Sequence, residues 1–111
     1  MKQLDIYWVD LNPTRGFETQ KKRPYVIVQS DRINRQSKTF VVAPLLPNHK
    51  PWPFAVNITK TKGNGLDGDR HLNLKQVRVV DESRFSNKQG KLSPQYLDEI
   101  HEALKLVLGI D

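Results

Sequence analysis

The chain reads as a small antiparallel β-barrel with a C-terminal helix, a mainly β (α+β) fold in one domain spanning residues 1–111. Three observations predict it. Short apolar runs of strand length recur along most of the chain, separated by Gly- and Pro-rich turns. Only the C-terminal segment carries a sustained helical period. And 111 residues can bury one hydrophobic core but not two.

Ile6-Tyr7-Trp8-Val9 is a short β-rich run, stopped by Asp10-Leu11-Asn12-Pro13. From Asn12 to Pro24 the presence of Pro13, Gly16 and Pro24 predicts a loop, long for so small a domain and for that reason a place to look for function. Tyr25 to Gln29 is a continuous apolar strand, expected to be buried on both faces. Ser30 and Asp31 can cap a short turn or helix over Asp31–Gln36. Thr39 to Ala43 is the next strand, ended by Pro44. Residues 44–53 hold four prolines, which predicts a stiff second loop unable to pair in a central ladder. Phe54 to Ile58 alternates as a half-exposed strand, and Gly63 to Gly68 is turn chemistry. His71-Leu72-Asn73-Leu74 alternates again and is expected to run on through Gln76 to Val80. In the last element Ser93 is a good N-cap and Pro94 suits the first helical position. Leu97, Ile100, Leu104 and Val107 share one face, and Gly109 ends the helix.

Composition narrows the function. Hydrophobic residues at 37% and charged residues at 27% fit a soluble globular chain rather than a disordered one. The longest apolar run, Tyr25-Val26-Ile27-Val28, is far shorter than a membrane span, and the N-terminus has no secretion signal, so a cytoplasmic protein is expected. The absence of cysteine excludes disulfides, thiolate zinc sites and cysteine nucleophiles. Net charge is +6, unevenly spread: residues 14–38 carry seven bases against two acids, whereas residues 92–111 carry one base against four acids. A basic body with an acidic tail element suits a polyanionic partner met by the body, although a solvated basic surface kept for solubility has the same composition.

Most catalytic constellations fail. His49, His71 and His101 share no metal-ligand spacing, so no metal and no cofactor are expected. His71 is read as structural or partly exposed. No serine lies on a Gly-x-Ser-x-Gly turn, and Gly63, Gly65 and Gly68 match a dinucleotide spacing with no helix behind them. The two loops remain. In the first, Pro24 holds Arg23 out of helical geometry beside Lys21 and Lys22, where a fork of donors can meet a phosphate, and Glu18 supplies the nearby carboxylate. A plain surface ion pair between Arg23 and Glu18 is the bland reading. The second loop offers Asn48, His49, Lys50 and Trp52 on a proline-stiffened frame, with Trp52 either stacking on a base or plugging the barrel end.

Ile6-Tyr7-Trp8-Val9-Asp10-Leu11-Asn12-Pro13-Thr14-Arg15-Gly16, then Glu18, then Arg23-Pro24 before an apolar strand, resembles the MazF/PemK family of toxin endoribonucleases. The resemblance continues through Val42-Ala43-Pro44, Trp52-Pro53-Phe54, Gln76-Val77-Arg78-Val79-Val80-Asp81 and the closing helix. It implies an SH3-like barrel, a homodimer, and metal-independent cleavage of single-stranded RNA. It also implies neutralisation by a cognate acidic MazE-like antitoxin and, together with that antitoxin, binding to operator DNA. Residue by residue, Arg23 takes the place of the family's catalytic arginine and Glu18 that of its loop glutamate. Lys21, Lys22, Asn48, Lys50, Trp52, Lys75 and Gln76 become the expected RNA contacts. Two positions depart: Leu46 stands where the family has threonine or serine, and Lys75 where it often has aspartate or asparagine. His49, three residues beyond Leu46, is the expected substitute for the missing hydroxyl, since imidazole in water exchanges a proton near ~6.5.

The chemistry suits these residue types. The 2′-hydroxyl of RNA is a built-in nucleophile, so the protein need only take its proton, stabilise charge on the phosphoryl oxygens and protonate the leaving 5′-oxygen. A histidine or glutamate fits the first task and an arginine the second. Bases splayed into loop pockets would set sequence preference. Two alternatives stay open: a decayed member that binds nucleic acid or protein without cutting, and a gyrase poison built on the same barrel. Dimerisation has a motive in the sequence as well, because Phe40, Val41 and the apolar helix face exceed what one small barrel is expected to cover.

Overall fold

The computed structural model describes residues 1–11 and 22–111, so most of the first loop, with Glu18 and Lys21, lies outside the described residues. Seven strands and two helices follow in chain order: β1 Asp5–Asp10, β2 Lys22–Ile27, α1 Asp31–Asn34, β3 Thr39–Pro47, β4 Ala55–Ile58, β5 Arg70–Asn73, β6 Arg78–Asp81, β7 Phe85–Lys91 and α2 Leu97–Leu108. All the strand pairs are antiparallel, in the order β4-β5-β3-β2-β1-β7, with β6 also on β3. The sheet does not close by strand pairing as a full barrel would, since β4 and β7 stand at its two ends. The turn after β4 nevertheless folds onto β7, where the Lys91 amide donates to the Gly63 carbonyl at 3.0 Å. Gly90 permits that approach, because a Cβ there would strike the backbone of Gly63 and Asn64.

Several boundaries differ from expectation, each for a local reason. β2 begins at Lys22 rather than Tyr25: the proline that bars Arg23 from helical geometry makes it extended, and Trp8 pairs with Pro24 and Val9 with Arg23. β3 runs through Pro44 to Pro47, contrary to the stiff unpaired loop expected from residue 44 onward. It pairs with β2 through Tyr25↔Pro44, with β6 over residues 39–42 and with β5 over residues 45–47. Val42 pairs with both β2 and β6, so these flank β3 on opposite edges. On the edge shared by β6 and β5, Pro44 falls in the gap between the two ladders, where a missing N–H breaks no run of bonds. The expected single strand from His71 to Val80 is accordingly two strands split by a 3₁₀ turn over Leu74–Gln76. That turn is capped by the Asn73 side chain, which accepts from the Lys75 amide at 3.1 Å. α1 stops at Asn34, two residues short of expectation. β7 was not foreseen: its sequence, Phe-Ser-Asn-Lys-Gln-Gly-Lys, has no apolar alternation.

The sheet buries a cluster on each face. One contains Ile6, Val26, Leu45, Val56, Leu72 and Leu74, and α2 seals it with Ile100 and Ala103. Ser93 caps the approach to α2, here a 3₁₀ turn over Pro94–Tyr96, and Gly109 ends the helix at φ 69°. The second cluster gathers Val9, Tyr25, Ile27, Phe40, Val42 and Val80, with Tyr7 and Phe85 against it. Phe40 meets Phe85 edge to face at 5.7 Å and is only 3% exposed, and Ile100 is covered within the chain. Of the residues that motivated a dimer, Phe40 and Ile100 are thus covered within the chain, while Val41, Leu97, Leu104 and Val107 are partly buried against the main core. Val79, Leu106, Leu108 and Ile110 are the large apolar residues left exposed on β6 and around the end of α2. No helix among the described residues is long and apolar enough to cross a membrane.

Candidate active site

Alternation along the strands sorts side chains between the two faces. Arg23 shares its face with Tyr25 and Ile27, and Leu46 shares that face with Val42 and Pro44. Leu46 pairs with His71, which in turn pairs with Asn57 on β4. The β2–β3 ladder ends at Tyr25↔Pro44, and two residues further along each strand come Arg23 and Leu46. One row of this face thus runs Leu46, His71, Asn57, and Arg23 lies on the same face beyond the end of the β2–β3 ladder. Arg23 is half-buried, and its Nε is a buried donor with no partner among the described residues.

The second loop is held at both ends. Asn48, at φ 68°, donates its amide to the Asp69 carbonyl at 3.1 Å, and its own carbonyl lies 2.9 Å from His71 Nδ1. The Lys50 backbone makes a double contact with the Asn57 side chain, at 2.9 and 3.1 Å. His49 turns its Nε2 to the Ile58 carbonyl at 3.1 Å and sits 3.8 Å from Asp69 Oδ1. Trp52 does not plug the barrel end: it is 40% exposed and stacks on Phe54 with centroids 5.4 Å apart. Lys50 Nζ lies over the Trp52 ring at 5.3 Å and Lys75 Nζ over Phe54 at 5.5 Å, so each aromatic face carries a cation. Trp52 also meets the His71 ring edge-on at 5.5 Å. Gln76 closes the 3₁₀ turn, half-buried. Lys22, next to Arg23 on β2, is exposed and alternates to the other face. It lines a cleft of about 330 Å³ with Asp10, Ser83, Arg84, Phe85 and Ser86.

The fold therefore brings Asn48, Lys50, Trp52 and Lys75 together around His71, with Arg23 on the same sheet face, while Glu18 and Lys21 lie outside the described residues. No three His, Asp or Glu side chains converge as metal ligands among the described residues. The sequence profile of PemK-like, MazF-like toxins of type II toxin–antitoxin systems matches residues 2–108. The chain belongs to that family. It is 36% identical to an Endoribonuclease MazF of Staphylococcus saprophyticus, over 99% of this chain and 92% of that protein. Its fold matches MazF from Deinococcus radiodurans (TM-score 0.80, 21% identity, 99% of this chain and 97% of that one). It also matches an endoribonuclease in complex with its cognate antitoxin from Mycobacterial species (TM-score 0.78, 19% identity, 100% and 97%).

Within this MazF-like toxin, the two departures from the family pattern fall in one neighbourhood. Leu46 lies directly across from His71, and Lys75 lies over Phe54, beside Trp52. Sequence reasoning set His71 aside as structural and omitted Phe54 and Asn57. The clue it passed over was parity: His71 alternates with Leu72 and Leu74, so it lies on the face opposite the main core.

Proposed function

We propose that this MazF-like toxin is a metal-independent endoribonuclease. It cuts single-stranded RNA to 2′,3′-cyclic phosphate and 5′-hydroxyl ends, and by doing so inhibits translation and growth. The observation that carries the reading is Arg23: a half-buried guanidinium whose Nε has no partner among the described residues, on the same sheet face as a loop bearing cations and an open tryptophan. A donor fork held in this way stabilises charge on the phosphoryl oxygens as it develops. Trp52 offers a stacking surface to a base, and Lys22, Lys50 and Lys75 offer charge to the backbone, with Asn48 and Gln76 beside them. Glu18 and His49 are the proton-transfer candidates that the sequence raises. A structurally similar endoribonuclease is in complex with its cognate antitoxin, which supports an antitoxin partner here, and the basic body suits an acidic one that competes with RNA for this surface. A homodimer fits the exposed Leu106, Leu108 and Ile110.

The test is to incubate the purified protein with a mixed-sequence RNA in EDTA and map the ends. Cleavage in EDTA leaving 5′-hydroxyl termini is expected. Cleavage that requires a divalent ion overturns the mechanism, and a folded protein that cuts nothing overturns the enzyme reading.

A further inference from the structure

We infer that His71 is the proton-transfer residue of this toxin, working with Arg23 on the same sheet face. The inference rests on the endoribonuclease reading and names the base within it. Four observations support it, beginning with the tautomer. Nδ1 of His71 lies 2.9 Å from the Asn48 carbonyl, which can only accept, so Nδ1 carries the hydrogen and the neutral ring keeps its lone pair on Nε2. Burial comes next. His71 is 2% exposed, yet Nε2 has no hydrogen-bond partner among the described residues. A buried acceptor left unmet costs free energy and marks a site that a ligand can satisfy.

Position is the third observation. His71 is the cross-strand partner of Leu46, on the edge of β3 opposite β2 and Arg23. Arg23 and His71 share one face of the sheet, with Arg23 two residues past the last β2–β3 pair, Tyr25↔Pro44. Of the three buried polar side-chain atoms without a partner among the described residues, two are Arg23 Nε and His71 Nε2. One is a donor and the other an acceptor, the pair that a phosphodiester with a neighbouring hydroxyl requires. Last, His49 sits at the β4 side of the site, its Nε2 donating to the Ile58 carbonyl next to Asp69, with β5 and β3 between that strand and the β2 strand of Arg23. Leucine at 46 is then not a loss of the acid–base group, which stands one strand further along the same row.

The step balances without a further reactant beyond water. The 2′-O–H bond breaks and its proton passes to Nε2, while the 2′-oxygen bonds to phosphorus. The P–O5′ bond breaks with its electron pair on the 5′-oxygen, which takes a proton from water, and the imidazolium returns its proton to the hydroxide so formed. Arg23 donates to the non-bridging oxygens throughout. Trp52, edge-on to His71 and open to solvent, is the side chain that turns to admit the substrate.

His71→Asn tests the inference, because its amide nitrogen keeps a donor for the Asn48 carbonyl while Nε2 is removed. Single-turnover cleavage of a mixed-sequence RNA in EDTA is expected to fall by ~100-fold or more. Affinity for the same RNA with every 2′-hydroxyl methylated should stay within about threefold. Cleavage kept within about threefold of the parent overturns the inference while leaving the enzyme reading intact. Cleavage and affinity lost together reduce His71 to holding the loop, which overturns its role as base. Should circular dichroism show the variant unfolded, the His71 ring-proton resonance of the unaltered protein decides. It is expected to shift when the methylated RNA is added, and an unmoved resonance overturns the inference. An unaltered protein that cuts no RNA overturns both readings.

Discussion

Arg23 is the residue on which the proposed chemistry rests, and its position explains why. Its backbone is fixed twice, by Pro24 behind it and by Val9 across the ladder, so the guanidinium is aimed before substrate arrives. Arg23→Ala should slow cleavage by ~2.7 kcal/mol or more in barrier, about 100-fold, measured under single turnover. Arg23→Lys should recover little of that, since an ammonium keeps the charge but loses the planar fork. Trp52 is proposed to act in binding instead. Trp52→Ala should weaken RNA affinity by ~1–3 kcal/mol with a smaller effect on the rate at saturation, checked by titrating a 2′-O-methylated RNA. An affinity unchanged by that substitution would return Trp52 to a packing role on Phe54.

Among the elements, α1 shows how a short helix is made to stay in place. Ser30 caps it, and Asp31 ties it to the N-terminus by accepting from the Gln3 amide at 2.8 Å, while also accepting from Asn34 Nδ2 at 3.0 Å. The Gln3 hydrogen bond, followed by that of Asn34, holds the Asp31 carboxyl below its ordinary value. A carboxylate depressed in this way stabilises the fold above the ordinary carboxylate range and loses that contribution as pH falls through its folded value. Asp31→Asn should therefore lower stability at neutral pH, by no more than ~1 kcal/mol for so exposed a group, read as a lower melting temperature. Below the carboxylate range the two proteins should melt alike. A difference that persists in acid would assign the effect to lost geometry rather than lost charge. β3 is the other element with a decisive shape. By changing partners around Pro44 it carries Leu46 away from β2 and toward His71, which creates the row that the candidate site occupies.

For the molecule as a whole, charge and surface divide the labour. The basic body holds the candidate site, while Asp98, Glu99 and Glu102 lie along α2 beyond the main core. RNA should meet the sheet face and avoid the helix. If Lys22, Arg23, Lys50 and Lys75 each neutralise a phosphate, the logarithm of affinity should fall with the logarithm of salt at a slope of about −2.8 for a single strand. Filter binding across a salt series measures it. A slope near zero would mean that stacking, not charge, holds the RNA.

The pattern of apolar residues and turns was enough to determine the mainly antiparallel class, the C-terminal helix with its Ser93 and Gly109 ends, and the family. These are local matters: capping chemistry, strand period and motif order need no distant partner. Arg23 was equally accessible, because Pro24 constrains it from the next position. Tertiary structure decided the rest. β7 is polar after Phe85 and becomes a strand because β1 has an edge to pair. Pro44 is tolerated in a paired strand because the opposite edge has a gap there, and no local rule reports that gap. The choice between two histidines was of the same kind. His49 is near Leu46 along the chain and His71 is 25 residues away, yet the β3–β5 register sets His71 beside Leu46 and the Ile58 carbonyl draws His49 aside. Proximity in sequence was a poor guide because strands pair across the sheet, and pairing is settled only when the whole sheet forms.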